Sequence, residues 1–455
     1  MNNERKIPEP YAHQSDTTQF IINNPKCLVT SDPGTGKTRA VLDALVKLGG
    51  KTLVLAPLSI LEAAWAEDID KFTPSIKYGV AYAKNREKVF AQDNLDMVIT
   101  NFEAVNFLCK NKATKTYLKS FDNIVIDEFT AFKNKASKRS KNCKSIMENF
   151  NCRIAMSGTP NSNGILDLWH PVYLVDDGQR LGARFYSFRH QACTSKFNGF
   201  ANEWIDKPGI EETVADQLKD ICIRYALEDC IDLPDKIVRK INTKLTPLVQ
   251  KMYTSLAEES VLYTKSGTVN AVHAGARVKK LLQLVTGAVY DEDGVVQFLH
   301  QERYDIVMTL VAQRAHSLVA FNWRHERDAL VKIAERDKIS YEIIDGSIPA
   351  HKRVGIVERF QAGQIQVLFC HPQSAGHGLT LTKANTVIWC SPTYNAEHFQ
   401  QFNQRIYRAG QTQKTETILI AAKDTWEPEV YKKLNSKLGK MENLLHVLTE
   451  LQNAN

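Results

Sequence analysis

The run Asp32-Pro33-Gly34-Thr35-Gly36-Lys37-Thr38 combines the residue types needed to hold a chain of phosphates. Glycines let backbone N–H groups approach phosphate oxygens, a lysine can reach the β and γ phosphates, and a helix starting there adds a favourable dipole. Thr38 can offer a hydroxyl oxygen to magnesium, a hard cation. The familiar spacing Gly-x-x-x-x-Gly-Lys-Thr begins with glycine, where this chain has Ser31. Gly34, Thr35, Gly36, Lys37 and Thr38 are intact and are the candidate nucleotide-holding residues. A coincidental glycine turn is the competing reading.

Asp127 and Glu128 follow the apolar Ile124-Val125-Ile126. Adjacent acids at a strand end suit hydrolysis of a nucleoside triphosphate. Asp127 would hold magnesium, directly or through water, and Glu128 would orient or deprotonate the attacking water. A lone Asp-Glu pair often caps a helix, but with the lysine loop upstream hydrolysis becomes the expected chemistry. Far along the chain, Arg405 and Arg408 lie three apart, on one face if that stretch is helical. Arginine keeps its charge and presents fixed donors to phosphate oxygens, although surface cations would read the same way. His13-Gln14 precedes the loop; a glutamine amide can donate to and accept from an adenine edge, yet by itself it reads as surface polarity.

These residues need strands to position them. Cys27 to Thr30, Thr52 to Ala56, Met97 to Thr100, Ile124 to Ile126 and Arg153 to Met156 read as short strands, with a helical pattern over Lys37 to Leu48. The alternation returns at Ser317 to Phe321, Ser340 to Ile344, Ile365 to Phe369, Thr386 to Trp389 and Thr417 to Ile420. Helical segments fall around Arg324 to Glu335, His351 to Phe360 and Ala396 to Tyr407. Such alternation implies βαβ units and mainly parallel sheets, met once near each end of the chain. The middle, from about Ile165 to Gln313, reads as helical or irregular, with a short hairpin over Gly287 to Phe298 around Asp293-Gly294. Glu427 to Leu451 reads as a terminal helix. The expected division is 1–164, an N-terminal ATP-binding domain; 165–300, helical insertions and a connection; and 301–455, a second α/β domain.

With 455 residues, 43% hydrophobic and 24% charged, the chain can bury more than one core. No apolar run is long enough for a membrane span and the first residues lack a secretory h-region. Nine cysteines without Cys-x-x-Cys spacing point to reduced thiols in an intracellular, cytoplasmic protein and away from structural zinc. His316, His325, His371 and His377 show no metal-binding arrangement. Net charge of +7 is compatible with nucleic acid. Between Ala131 and Met147 there are basic residues (Lys133, Lys135, Lys138, Arg139, Lys141, Lys144) and no acid, a candidate phosphate track or a solvated face. Trp169, Phe185 and Trp204 read as packing rather than as base-stacking platforms.

Taken together, the segments resemble a superfamily 2 helicase, more narrowly a Swi/Snf-type DNA translocase, from about Tyr11 to Thr417. Ser31 to Thr38 resembles motif I, and His13-Gln14 the adenine-recognition element. Leu53 to Ser59 resembles motif Ia and Ile99 to Phe102 the next backbone-binding loop. Asp127-Glu128-Phe129-Thr130 resembles motif II, departing from the usual Asp-Glu-x-His or Asp-Glu-x-Gln in its last residue. Ser157-Gly158-Thr159-Pro160 resembles motif III, Phe321-Asn322-Trp323 motif IV, Gln373 to Thr382 motif V, and Gln401 to Gln411 motif VI.

The resemblance implies two RecA-like parallel-sheet domains of the P-loop NTPase type, with ATP and Mg2+ as cofactors. It makes Arg405 and Arg408 finger residues acting on ATP, Arg408 the direct transition-state contact. It assigns Pro57, Ser59, Thr100, Asn101, Asn322, Ser374 and Thr380 to nucleic-acid contact, and Ser157, Thr159, Gly376, Gly378, Gln401 and Gln404 to coupling. The expected activity is ATP hydrolysis driving translocation on duplex or branched DNA, with remodelling of forks or junctions as its use. The alternatives are a strand-separating DNA or RNA helicase and a nucleotide-regulated scaffold. Without a recognisable reader segment, a minimal bacterial or viral motor is expected, acting in the host cytoplasm if viral.

Overall fold

The structure, a computed structural model, describes residues 7–197, 202–259, 261–264, 267–270, 274–291, 293–376 and 378–453. The chain forms two compact units, one running to Asp232 and joined by the residues from Lys437 onward, the other Leu233–Ser436. The connection expected over 165–300 is therefore divided: its part up to Asp232 goes with the first unit and the rest with the second.

The first unit is built on seven strands: β1 (Lys26–Val29), β2 (Thr52–Ala56), β3 (Tyr78–Ala81), β4 (Met97–Asn101), β5 (Asn123–Asp127), β6 (Cys152–Met156) and, after a two-stranded antiparallel hairpin of β7 (Cys193–Phe197) and β8 (Asn202–Asp206), β9 (Cys222–Ile223). The sheet order is β3-β4-β2-β5-β6-β1-β9, and every pairing in it is parallel. A parallel sheet is covered on both faces, so its strands read as continuous apolar runs. Alternate residues serve the two faces. Leu53, Leu55, Ile124, Ile126 and Ala155 enter one core, while Val54, Ala56, Val125, Ile154 and Met156 enter the other. Met441, Leu444, Leu445 and Leu448, from the helix Glu427–Asn453, complete the first of these cores.

The second unit has strands β10 (Lys236–Thr243), β15 (Ser317–Ala320), β16 (Tyr341–Ile344), β17 (Val367–Cys370), β18 (Thr386–Trp389) and β19 (Thr415–Ala422), with the small antiparallel pairs β11 (Val261–Thr264) with β12 (Gly267–Asn270) and β13 (Ala288–Tyr290) with β14 (Val296–Phe298) between them. Its sheet runs β10-β19-β18-β15-β17-β16, again wholly parallel. The β13–β14 pair is the hairpin expected around Asp293-Gly294, with Gly294 at φ 79°. Two parallel-sheet domains thus carry the fold that the alternation implied.

Of the four edge strands of the two large sheets, β16 matches the expected Ser340 to Ile344, and the other three escaped the sequence reading. β3 is only half buried, β9 has two residues, and β10 (KIVRKINT) is mostly exposed, so none presents a clear run. The β7–β8 hairpin lies in a stretch expected to be helical or irregular; its Trp204 packs its ring 3.8 Å beneath the Arg189 guanidinium. The helix expected over Ala396 to Tyr407 ends at Asn403, and the chain then turns through Gly410, whose φ is 91°.

An ion pair fixes the second unit's core. Arg303 donates to both carboxylate oxygens of Glu427, at 3.1 and 2.7 Å, with both side chains almost inaccessible. Arg303→Met is expected to destabilise the protein by about 3–5 kcal/mol, because the lone carboxylate would remain buried. The joint replacement Arg303→Met with Glu427→Leu should recover most of that loss, and urea unfolding followed by circular dichroism measures both.

Candidate functional site

All strands of a parallel sheet end on the same edge. The phosphate loop after β1, Pro57 and Ser59 after β2, Thr100 and Asn101 at the end of β4, Asp127 and Glu128 at the end of β5, and Ser157 and Thr159 after β6 therefore share the carboxyl edge of the first sheet. This is where open α/β sheets place their ligands.

The loop turns through Gly34 at φ 94° and Gly36 at φ 81°, a left-handed backbone that favours glycine. The helix α1 (Ala12–Asn23) braces it. The Gln14 side-chain amide donates to Thr35 O at 3.1 Å and its oxygen accepts from Tyr11 N at 3.1 Å, while His13 Nε2 lies 2.8 Å from Thr35 O. A Cβ on Gly36 would sit 2.1 Å from Gln14 Nε2, so a side chain there would displace the brace. Gln14 is buried, with its amide nitrogen on the loop at Thr35 O and its oxygen on Tyr11 N at the head of its own helix. Beside it a cavity of about 510 Å3 is lined by Tyr11, His13, Asp16, Arg224, Tyr225 and Thr449. The Tyr11 and His13 rings stack there at 5.8 Å.

From the helix α2 (Lys37–Leu48), Lys37 Nζ donates to Ser31 O at 2.7 Å and Asp32 O at 3.1 Å. Removal from water lowers its pKa, opposed by the negative charges of Glu128, Asp127 and Asp32. Asp127 is buried, which raises its pKa, while the Trp65 indole N–H donating at 2.9 Å and the Lys37 charge act the other way. Glu128 stands at φ 58°, an uncommon conformation for a residue with a side chain. Its Oε2 accepts from Ser157 Oγ at 3.0 Å, and Ser157 Oγ in turn accepts from Thr159 N at 3.1 Å. Gly158 presses on the phosphate loop, since a Cβ there would meet Pro33 Cδ at 2.5 Å. The Thr159 hydroxyl and the Asn161 amide are buried with no hydrogen-bond partner among the described residues.

Not every candidate faces solvent. Thr100, near the end of β4, is fully buried and its hydroxyl bonds Ala81 O on the neighbouring strand β3, whereas Asn101 is half-buried and accepts from Arg86 at 2.7 Å. Phe129 and Thr130 are buried, Phe129 in the core. The basic run is partly neutralised: Lys133 pairs with Asp167 at 3.3 Å and Arg139 with Glu103 at 2.7 Å, while Lys135 lies 4.3 Å from the Tyr186 ring centroid.

In the second unit the candidates following β15, β17 and β18 share that sheet's carboxyl edge. Arg405 and Arg408 both donate to Leu379 O, at 3.2 and 2.9 Å. Arg405 also donates to Gln401 O at 2.8 Å, and Gln411 Nε2 donates to Ala384 O at 2.9 Å. These bonds stitch residues 379–384 to 401–411. The Gln401 side chain is buried against Gly376, whose Cβ would lie 3.3 Å from Gln401 Oε1; the Gln401 amide and Gln404 Oε1 have no hydrogen-bond partner among the described residues. Gly378 has φ 69°, and His377 lies outside the described residues. Arg353 donates to Ser374 O and Asp345 O, each at 3.0 Å. Thr380 is half-buried. His325 is buried, with its pKa lowered to about 4, which keeps it neutral. Among the described residues no group of three or more His, Cys, Asp or Glu could hold a metal ion, and no helix is long and apolar enough to cross a membrane.

Trp65, Arg224 and Tyr225 belong to the site without a motif to mark them. Trp65 carries no local signal beyond an isolated aromatic, and Arg224 reaches Asp32 across 192 residues of sequence.

Two family models match the chain: a SNF2-related domain over residues 13–288 and a helicase conserved C-terminal domain over residues 302–412. The chain is similar to putative protein p41 of Acyrthosiphon pisum secondary endosymbiont phage 1, 26% identical over 97% of this chain and 98% of that one. It is similar to the chromodomain-helicase-DNA-binding protein 1-like of Danio rerio, 24% identical over 91% of this chain and 41% of that protein. With the DNA annealing helicase and endonuclease ZRANB3 of Mus musculus it shares 22% identity over 93% of this chain and 40% of that protein. The chain thus spans nearly all of the phage protein but only about two-fifths of the two animal proteins. A solved structure of the Sulfolobus solfataricus SWI2/SNF2 ATPase core in complex with dsDNA aligns over 98% of this chain and 96% of its own, at 22% identity and a TM-score of 0.43.

Asn322 is anchored rather than open. Its amide donates to Ser391 Oγ at 2.9 Å, and its backbone N–H donates to Glu326 Oε2 at 2.7 Å, as Trp323 N–H does at 3.1 Å. Burial pushes the Glu326 carboxyl up from 4.5 to about 7, against the pull of these hydrogen bonds. The folded protein therefore keeps a proton that the unfolded chain releases. This contribution to stability is fully present below about pH 4.5 and is lost as pH rises through about 7. Glu326→Gln should remove it: between about pH 5 and about pH 8 the thermal midpoint of the variant should rise relative to wild type. Differential scanning calorimetry at the two pH values checks the sign.

Proposed function

We propose that this chain, which belongs to the SNF2-related family and carries the paired domains of a nucleic-acid-dependent ATPase of the helicase type, couples ATP hydrolysis to translocation along duplex or branched DNA. The observation that carries the coupling is the loop after β6. Ser157 holds Glu128 at 3.0 Å while Gly158 bears on Pro33, so one short segment touches both the hydrolytic acid and the phosphate loop. A shift in either is felt at the strand-end loops beside it.

Within this reading the backbone N–H groups of Gly34 to Thr38 hold the phosphates, and Lys37 exchanges its two loop carbonyls for β and γ phosphate oxygens. Thr38 and Asp127 offer the oxygen ligands that a hard cation prefers, a donor set that fits Mg2+. Bound there, Mg2+ would supply positive charge to the phosphate chain. Trp65 keeps one Asp127 oxygen engaged and so orients the carboxylate. Glu128 takes the proton of the attacking water. Arg408 is the transition-state contact and Arg405 its support. His13 with Tyr11 offers stacked rings to the base.

Pro57, Ser59 and Asn101 in the first unit, and Asn322, Ser374 and Thr380 in the second, are proposed to hold DNA phosphates through hydroxyl, amide and backbone groups, which position the strand without reading bases. The inward Thr100 hydroxyl takes no part in the state described. The names of the animal relatives, one a DNA-binding protein and one a DNA annealing helicase, support DNA as the substrate. The similarity over almost the whole of the phage protein supports a viral member of the family. Strand separation is the second reading, favoured by one observation: the antiparallel β7–β8 hairpin carries Phe197 two-thirds exposed, an aromatic that could wedge a duplex.

ATP turnover and triplex displacement on duplex DNA, run beside unwinding of forked DNA, decide between the readings. Duplex DNA should stimulate turnover and the protein should displace the third strand, with Lys37→Ala abolishing both. No stimulation by any nucleic acid would sink the motor, and fork unwinding without triplex displacement would select strand separation. Arg408→Ala should keep DNA affinity but lower kcat by about 10³-fold, the scale of an arginine acting on the transferred phosphate; normal turnover would refute its role.

A further inference from the structure

Ser31, the departure from the usual glycine, and its neighbour Asp32 are not passive turn residues. Asp32 Oδ1 accepts from Arg224 Nη1 at 2.9 Å and Oδ2 from Leu227 N at 3.0 Å. The same Arg224 nitrogen donates to Thr30 O at 2.8 Å. Ser31 Oγ accepts from Tyr225 N at 3.0 Å, and Asp32 N donates to Tyr225 O at 3.0 Å. Both Asp32 and Arg224 are buried, so the pair is poorly screened by water. Glycine in place of Ser31 would lack the oxygen that fixes residue 225.

This clasp holds the two carbonyls on which Lys37 rests, Ser31 O and Asp32 O. Its partners are strategically placed in the chain. Residues 224–227 follow β9, shortly before the first unit ends at Asp232. Arg224 N donates to Gln452 Oε1 at 2.8 Å, and Gln452 lies in the last turn of the terminal helix that rejoins this unit from Lys437 onward. The chain thus leaves the unit, and the helix Glu427–Asn453 returns to it, at the same few residues.

We propose that Arg224 is a positioning residue: through Asp32, and with Ser31 bound to Tyr225, it sets the phosphate loop for ATP, and the docked end of the terminal helix supports it through Gln452. Arg224 acts on Lys37 through the loop carbonyls and touches no reacting atom. Nucleotide affinity is in this way tied to whether the last turn of that helix is seated. The proposal rests on the loop being an ATP site.

Arg224→Gln, Asp32→Asn, the double variant, Arg224→Lys, Ser31→Ala and Gln452→Ala are made in the full chain and titrated with a fluorescent ATP analogue and Mg2+. Arg224→Gln should weaken binding by about tenfold and raise KM for ATP in step, with kcat on DNA changed less than about threefold, the signature of lost ground-state binding. The double variant should be no weaker than either single one, since both break one contact. Arg224→Lys should restore part of the affinity, and Gln452→Ala and Ser31→Ala should each weaken it by about two- to threefold, the scale of one neutral hydrogen bond. A merely structural pair would lower the melting temperature and leave affinity at 20 °C or so unchanged; that result, or strictly additive single variants, overturns the clasp. If Arg224→Gln does not fold, unchanged affinity in both Ser31→Ala and Gln452→Ala overturns it equally. Failure of wild type to bind the analogue would instead refute the ATP reading on which it rests.

Discussion

The parallel pairing of β1, β5 and β6 is the constraint from which the first unit's chemistry descends. Val29 pairs with Met156 and Asp127 with Met156, so the strands stop level with one another. The phosphate loop, the acid pair and the Ser157 loop then have no choice but to meet at one edge. An antiparallel neighbour would have sent one of them to the opposite end. Burial on both faces makes that register costly to slip, because a shift of one residue would exchange the two cores.

Electrostatics at this edge is balanced rather than neutral. Lys37 loses water and is compensated by Glu128, Asp127 and Asp32, while Asp127 loses water and is compensated by Trp65 and Lys37. Buried charges persist only when paired and hydrogen-bonded. Burial thus shifts Lys37 and Asp127 towards their neutral forms, and the neighbouring groups work against that shift. The uncommon backbone at Glu128 fits this picture: Ser157 and the adjoining core hold a conformation that an isolated chain would leave.

The second unit uses a different device. Arg405 and Arg408 lie along the carbonyls of residues 379 and 401. Gln401, buried against Gly376, locks the same two loops by packing. Residues 379–384 and 401–411 therefore move, or stay, together.

Much of this was legible in the chain alone. Local patterns determined the existence of β1, β2, β5, β6 and most of the second sheet, because strands buried on both faces are unbroken apolar runs. They also marked the loop from Gly34 to Thr38 and the acids Asp127 and Glu128 as candidates, because phosphate chemistry accepts few residue types at those spacings, whereas the arginines 405 and 408 stood out only through the family resemblance. Three edge strands were not legible: β3, β9 and β10 are short or exposed and lack the burial that writes a pattern. Nor was the use of Gln14 as a loop brace, the inward turn of Thr100, the hold of Trp65 on Asp127 or the grip of Arg224 on Asp32. Those depend on residues far apart in sequence reaching hydrogen-bonding distance, and only the packed parallel sheet brings them there.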